Sequence, residues 1–289
     1  MLTIYIVSTG YHKFLGKAIE SVFNSDRAIC IHVIETSPNL KDISKSNKIV
    51  QSFGLKLLQL PNYKLPEVAN YVINITKTSY LMRLDADDWL SKDFLTVMCK
   101  DIEQKSFDAY IPSYIETDHE GNDLREVSRA QLSISKIKDN PPHGACTVFR
   151  TRFLREVGGY SSKYDRQDGY YMWLKILRCG TFNCVSNAKF YYRQHAGNLT
   201  SNKRELWNVR ASMMIDECFD EIRKISYCII PILGMGTQFG KITIQPFLGY
   251  SSLLEYELSK LRISCDVVVY GPKSLASILP PNIRHIERS

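Results

Sequence analysis

Apolar positions along the first hundred residues follow two alternating rhythms. Short runs at 2–8, 28–36, 55–60 and 80–84 read as strands, and the segments 13–24, 42–53 and 66–76 between them carry apolar residues at helical spacing. Within 13–24, Ala18, Ile19, Val22 and Phe23 fall on one stripe, which marks that side as core-facing. This β-α-β-α order predicts a largely parallel sheet covered on both faces, whose ligands sit beyond the carboxyl ends of its strands.

The pattern then changes. A helix is predicted over 92–104 and a strand over 109–115. Residues 116–142 are polar and end in Asn140-Pro141-Pro142, which reads as a hairpin or a mobile substrate loop and not as helix. Next come a strand at 146–149, a short helix at 152–157, the turn Gly158-Gly159, a helix from Gln167 to Gly180, strands at 182–185 and 189–193, and a long helix at 205–222. A fresh strand at 226–232 leads into a loop bearing Gly234, Gly236 and Gly240, a helix at 253–261 and a strand at 265–270. We therefore expect one domain over 1–222 and a partial or degenerate βαβ segment over 223–289.

Composition narrows the class. With 44% hydrophobic and 23% charged residues the chain has the make-up of a folded globular protein, which excludes a disordered one. The formal charge of +7 is spread thinly, which argues against a nucleic-acid partner and leaves a mild attraction for phosphates or an anionic membrane face. Eight cysteines stand singly, without zinc spacing, as expected of buried thiols in a reducing cytoplasm. The start MLTIYIVSTG has no basic region before its apolar run and reads as a strand. No run reaches the roughly 20 apolar residues of a spanning helix, so any membrane association is expected to be peripheral.

The chemistry concentrates in YLMRLDADDWL, residues 80–90. Three carboxylates, Asp85, Asp87 and Asp88, stand where a core strand should end, a costly concentration of charge unless a cation or hydrogen bonds offset it. Alternate residues of an extended segment share a face, so Asp85 and Asp87 can address one ligand; hard oxygens of this kind suit Mg²⁺ or Mn²⁺ shared with a diphosphate. Asp88 fits equally well as the cap of the next helix. Asp168, at the start of the helix from Gln167, is either an ordinary N-terminal helix acid or a general base kept ionised there. His143 and His195 are further polar candidates, and Trp89, Tyr170, Tyr171 and Trp173 read equally as core or as faces for stacking on a sugar.

These motifs occur in an order that resembles the family 2 glycosyltransferases of the GT-A fold. The opening strand 4–8, Ala18-Ile19-Glu20-Ser21-Val22, Val68-Ala69-Asn70, Asp85-Ala86-Asp87-Asp88, Val157-Gly158-Gly159-Tyr160, Gln167-Asp168 and Arg193-Gln194-His195 carry the likeness over roughly 2–220. The resemblance implies an α/β fold with a mixed central sheet flanked by helices. It places Asp87 and Asp85 on the metal, Thr9 and Glu35 on the donor nucleotide, His195 near the diphosphate or metal, and Asp168 as catalytic base. Activity is then inverting transfer from a nucleotide-sugar donor to a saccharide or lipid-linked acceptor, in bacterial surface glycan synthesis at the inner face of the plasma membrane.

The tail resembles the opening of a cytidylyltransferase, with Ile229-Ile230-Pro231 leading into the glycine loop and Lys241 as its nearby cation. Nucleotidyl transfer by that unit and a non-catalytic donor-binding scaffold are the competing readings. A glycosidase ranks below both, because two acids flanking a sugar do not account for a strand-end trio.

Overall fold

The computed structural model describes residues 1–10, 12–25, 27–129, 141–164, 167–195, 209, 210 and 213, with strands at 242–244, 267–271 and 284–287. The chain packs as two units, Met1–Leu132 with Pro141–Ser212, and Ser133–Asn140 with Met213–Ser289.

In the first unit, β1 (Leu2–Ser8), β2 (Ile29–Glu35), β3 (Leu57–Gln59) and β4 (Tyr80–Asp85) run parallel, with β1 between β2 and β4. All seven residues of β1 are buried, which is why it reads as an unbroken apolar run and not as an alternation. The helices α1 (His12–Phe23), α2 (Leu40–Ser52) and α3 (Leu65–Ile75) alternate with these strands in the chain. Leu15, Ala18, Ile19 and Val22 of α1 enter the core, but Phe23 stays 46% exposed at the helix end and packs on Phe53, so the predicted stripe stops one residue early. Local chemistry sets the starts: the Asn39 side chain accepts from Lys41 N at 2.9 Å to open α2, and Lys64 N donates to Glu67 Oε2 at 2.8 Å where α3 begins.

The sheet continues through β8 (Val148–Arg150), β6 (Ala109–Thr117) and β9 (Phe182–Arg193) to β5 (Trp89–Leu90), and β7 (Asp123–Val127) hangs on β6. β8 runs antiparallel to both β4 and β6, and β9 runs parallel to β6. Two reversals restore direction, so β9 ends at the same edge as β1, β2 and β4. The result is a mixed α/β sheet flanked by helices, the fold class expected above; α4 (Phe94–Gln104), α5 (Thr151–Glu156) and α6 (Asp168–Cys179) complete the described helices.

The structure departs from the expected elements in two places. The two strands foreseen at 182–185 and 189–193 are one, β9, whose pairing with β6 shifts register between Pro112 and Ser113. Proline has no N–H to give a ladder, so the irregularity falls beside it. Trp89–Leu90 is a short strand paired antiparallel to Phe190 and Tyr191, which delays α4 to Phe94. Within the polar stretch 116–142 the hairpin alternative is the one found, as the antiparallel pair of β6 and β7.

Asn70 fastens the glycine turn to α3. Its Nδ2 donates to Tyr160 O at 2.7 Å and its Oδ1 accepts from Tyr160 N at 2.8 Å. Gly159 between them has φ 67°, and a Cβ there would overlap Asn70 Oδ1, so conformation and space both demand glycine.

In the second unit, β10 (Ile242–Ile244), β11 (Val267–Gly271) and β12 (Arg284–Glu287) form a parallel three-stranded sheet with β11 central. The strand expected at 265–270 is β11; the strand at 226–232, its glycine loop with Lys241, and the helix at 253–261 lie outside the described residues, as does nearly all of the helix at 205–222. Among the described residues no helix is long and apolar enough to cross a membrane.

Candidate active site

Three strand ends and one helix start build the site. β1 closes at Ser8 and continues into Thr9 and Gly10, β4 delivers Asp85 and then Ala86, Asp87 and Asp88, and Ala86 N donates to Val7 O at 3.0 Å, which keeps the two ends adjacent. Past the end of β9, Gln194 N donates to Thr117 O at 2.8 Å and carries the chain to His195.

There Asp87 Oδ2 and His195 Nε2 lie 2.8 Å apart. Arg193 is buried, donates from Nε to Asp87 O at 3.0 Å and from Nη1 to His119 O at 2.7 Å, and stacks its guanidinium over Phe14 and Trp89. That contact ties the turn of the β6–β7 hairpin to the acidic strand end. Asp88 does not cap α4. It is buried, its Oδ1 accepts from Arg193 N at 3.0 Å, and its Oδ2 has no hydrogen-bond partner among the described residues. Asp93 occupies the helix start instead.

Charge crowding shows in the acidities. Burial, with Asp87 and Asp168 adding to it against the pull of Arg83, pushes Asp85 up to about 6. Burial and then Asp87 and Asp85 push Asp88 well above the usual carboxylate range. A divalent cation at Asp87 would relieve this potential, and the carboxylate oxygens suit Mn²⁺ or Mg²⁺. Among the described residues no three His, Cys, Asp or Glu side chains converge as a cage, so a metal held here would take ligands from the diphosphate as well.

Asp168 opens α6 from the other side. The residue before it, Gln167, has φ 62° and ψ 29°, a left-handed conformation unusual outside glycine, and this sharp entry turns Asp168 inward, where it is 8% exposed. Its carboxylate pairs with Arg83 Nη1, while Arg83 Nε lies 2.8 Å from Asp85 Oδ1. One guanidinium thus spans the two acids. Sequence reasoning passed over Arg83, although a charge two positions before Asp85 on an apolar strand, hence on the same face, was the available signal.

The other expected residues are distributed as follows. Thr9 is exposed, its hydroxyl 2.7 Å from that of Thr36. Glu35 is fully buried: Oε1 accepts from Gly10 N at 3.0 Å and Ser37 N at 2.9 Å, and Oε2 from Ser8 Oγ at 2.8 Å and Ser46 Oγ at 2.7 Å. It fastens the loops after β1 and β2. His143 packs among Tyr114, Tyr192 and Phe190, and burial, then Arg129 and Arg83, push its imidazole down to about 3. Tyr170, Tyr171, Trp173 and Trp89 are all buried, so each takes the core alternative, with Trp173 edge-on to Phe182 and Trp89 stacked on Tyr191.

The mixed sheet with its flanking helices has GT-A architecture. The model of "Glycosyl transferase family 2" matches residues 3–166, and the chain belongs to that family. Among curated relatives, a hyaluronan synthase of Pasteurella multocida is 22% identical over 215 residues, covering 71% of this chain and 21% of the relative. A chondroitin synthase of the same species, strain Pm70, is 18% identical over 238 residues, covering 78% and 24%. The chain therefore spans about a fifth to a quarter of the length of these relatives.

Similar solved structures include S. aureus TarS 1–349 in complex with UDP-GlcNAc, at TM-score 0.57 and 15% identity over 74% of this chain and 66% of that one. The mannosyltransferase PcManGT from Pyrobaculum calidifontis, in complex with GDP-Man and Mn²⁺, aligns at TM-score 0.54 and 12% identity over 77% and 64%. The cytidylyltransferase-like reading of 223–289 gains no support from these comparisons.

Proposed function

We propose that this glycosyltransferase is metal-assisted and inverting, moving a sugar from a nucleotide-sugar donor to a saccharide or lipid-linked acceptor in surface glycan synthesis at the inner face of the plasma membrane. The observation that supports the reading is a pair of contacts at the end of the acidic strand, Asp87 with His195 on one hand and Arg83 with both Asp85 and Asp168 on the other. Family membership supplies the reaction class, and the donors bound by TarS and PcManGT support a nucleotide sugar.

Asp87 and His195, with Asp85 beside them, would hold the cation, which stabilises negative charge on a departing diphosphate. Asp168 takes the proton from the acceptor hydroxyl as that oxygen attacks the anomeric carbon from the face opposite the leaving group, giving inversion in one displacement. Buried aromatic walls, Tyr5 and Tyr160, limit water around this carboxylate. Thr9, at the exposed end of β1, faces the donor, and Glu35 shapes that loop from below.

The test is calorimetric titration of UDP and GDP with and without Mn²⁺, beside nucleotide release from UDP-GlcNAc and GDP-mannose. Asp87→Ala should lose Mn²⁺-dependent nucleotide binding, whereas Asp168→Asn should bind normally and lose turnover by about a hundredfold or more. Equal loss of binding in both would overturn this division of roles.

A further inference from the structure

Arg83 is the only charged residue of β4 before its terminal Asp85, and its side chain is 8% exposed. Its guanidinium donates to Asp168 from Nη1 and to Asp85 Oδ2 from Nη2 at 3.5 Å, with Nε 2.8 Å from Asp85 Oδ1 as an ion pair and not a hydrogen bond; the two acids lie 83 residues apart (168 − 85) and belong to different motifs. Resting on the reading of Asp168 as the base, we propose that Arg83 is a positioning residue for the transfer step: by gripping both acids it fixes where the base stands relative to the donor-side strand end.

Stability alone is a poor reason for such a group. A buried ion pair does no better on average than well-packed apolar residues of similar volume, and Met would fill this space. The guanidinium offers something an apolar residue does not, namely a rigid planar fork whose donors leave at fixed spacing, so two carboxylates bound to it are held at a defined separation.

The backbone around Arg83 is built to the same end. Cys146 N donates to Arg83 O at 2.7 Å, which draws residues 143–146 against β4. A Cβ on Gly144 would come within 3.0 Å of Asp168 Oδ2, and one on Gly169 would overlap Gly144 N, so two glycines let this segment press directly on the first turn of α6. Strand, segment and helix start are thus locked around the Asp168 carboxylate, and Arg83 joins that carboxylate to the strand. Lysine, with a single ammonium, could grip only one of the acids firmly. A base displaced by about 1 Å can cost on the order of a hundredfold in rate without any change in donor binding.

The experiment compares Arg83→Met and Arg83→Lys with the unaltered chain. The readouts are UDP and GDP binding with Mn²⁺, turnover and donor KM with UDP-GlcNAc and GDP-mannose, and a crystal structure of Arg83→Met with UDP and Mn²⁺. Expected are nucleotide affinity and donor KM within about threefold, turnover reduced about tenfold to a hundredfold, Arg83→Lys intermediate, and the Asp168 side chain moved from its present place. Unchanged turnover, an unmoved Asp168, or nucleotide affinity lost in step with turnover overturns the proposal. Should Arg83→Met not fold, Arg83→Lys decides, and full turnover there refutes it; should neither donor be turned over, the position of Asp168 decides. Full turnover in Asp168→Asn instead removes the base assignment itself, so the two failures are distinct.

Discussion

Asp87 and His195 meet at 2.8 Å between Oδ2 and Nε2 although 108 residues separate them. The contact depends on β9 ending at the same edge as β4, so the late Arg193–His195 tail reaches the acidic motif through sheet topology alone. His195→Ala should weaken Mn²⁺-dependent UDP or GDP binding about tenfold or more, and Asp87→Ala further still, while binding measured without metal changes little. Calorimetry with and without Mn²⁺ checks this, and equal loss in both conditions would assign the pair to the nucleotide and not to the metal.

Glu35 separates two roles that the sequence alone left joined. The family resemblance directs it at the donor nucleotide, yet four donors from Ser8, Gly10, Ser37 and Ser46 already meet its two oxygens. Glu35→Ala would strand two backbone N–H groups and two hydroxyls, at about 1 to 3 kcal/mol for each group left unsatisfied. Glu35→Gln keeps an oxygen for the two N–H groups and offers its amide to the hydroxyls, which can rotate to accept. Urea unfolding should show a loss of several kcal/mol for Ala and far less for Gln, with the nucleotide affinity of Glu35→Gln within about threefold of the parent. A tenfold or greater loss of nucleotide affinity in a stable Glu35→Gln protein would return Glu35 to the base-binding role.

Much of the first unit was legible because its strands are buried and its helices one-sided. β1 and β4 show as apolar runs, and the acidic trio stands out against them. What stayed hidden was set by tertiary partners. Trp89–Leu90 is too short to show a period, and it becomes a strand only because β9 lies beside it. The polar residues Ser186 and Asn187 split β9 in the pattern, yet the ladder with β6 resumes across the register shift. Arg83 could be placed on the face of Asp85 from its position two residues earlier, but its other partner, Asp168, is 85 positions away, so the bridge between the two acids was not legible. Glu35 was visible as an acid at a strand end, but its inward orientation follows from donors on three separated segments.

Asn70 and Gly159 give a test of the turn below the site. Asn70→Ala removes two hydrogen bonds to Tyr160 and leaves its N–H and C=O without those partners, a loss of about 2 to 4 kcal/mol. Gly159→Ala combines the left-handed strain at φ 67° with overlap on Asn70 Oδ1, and should cost at least as much. In the double variant Asn70→Ala/Gly159→Ala the overlap is gone, so the two losses should sum to less than additive by about 1 kcal/mol. Strict additivity in urea midpoints would show that backbone strain, not contact, sets the cost at Gly159.

His143 sets a pH dependence of stability whose sign follows from its environment. Burial, then Arg129 and Arg83, hold the imidazole down to about 3 in the folded chain, against about 6.5 for an unperturbed histidine. The folded state therefore resists a proton that the unfolded state accepts. The stability this contributes is fully present above about pH 6.5 and is lost as pH falls from there toward 3, at roughly 1.4 kcal/mol per pH unit. Between pH 6.5 and 5 the loss from this one residue is about 1.5 to 2 kcal/mol. Glutamine at the position cannot titrate, so His143→Gln should start less stable at pH 7, having lost ring contacts with Tyr114 and Tyr192, yet lose about 1.5 to 2 kcal/mol less than the parent over that interval. Urea titrations at pH 7, 6 and 5 supply the comparison. Parallel acid losses in the two proteins would mean that the ring is solvated enough to protonate in place, and that other groups drive the acid sensitivity.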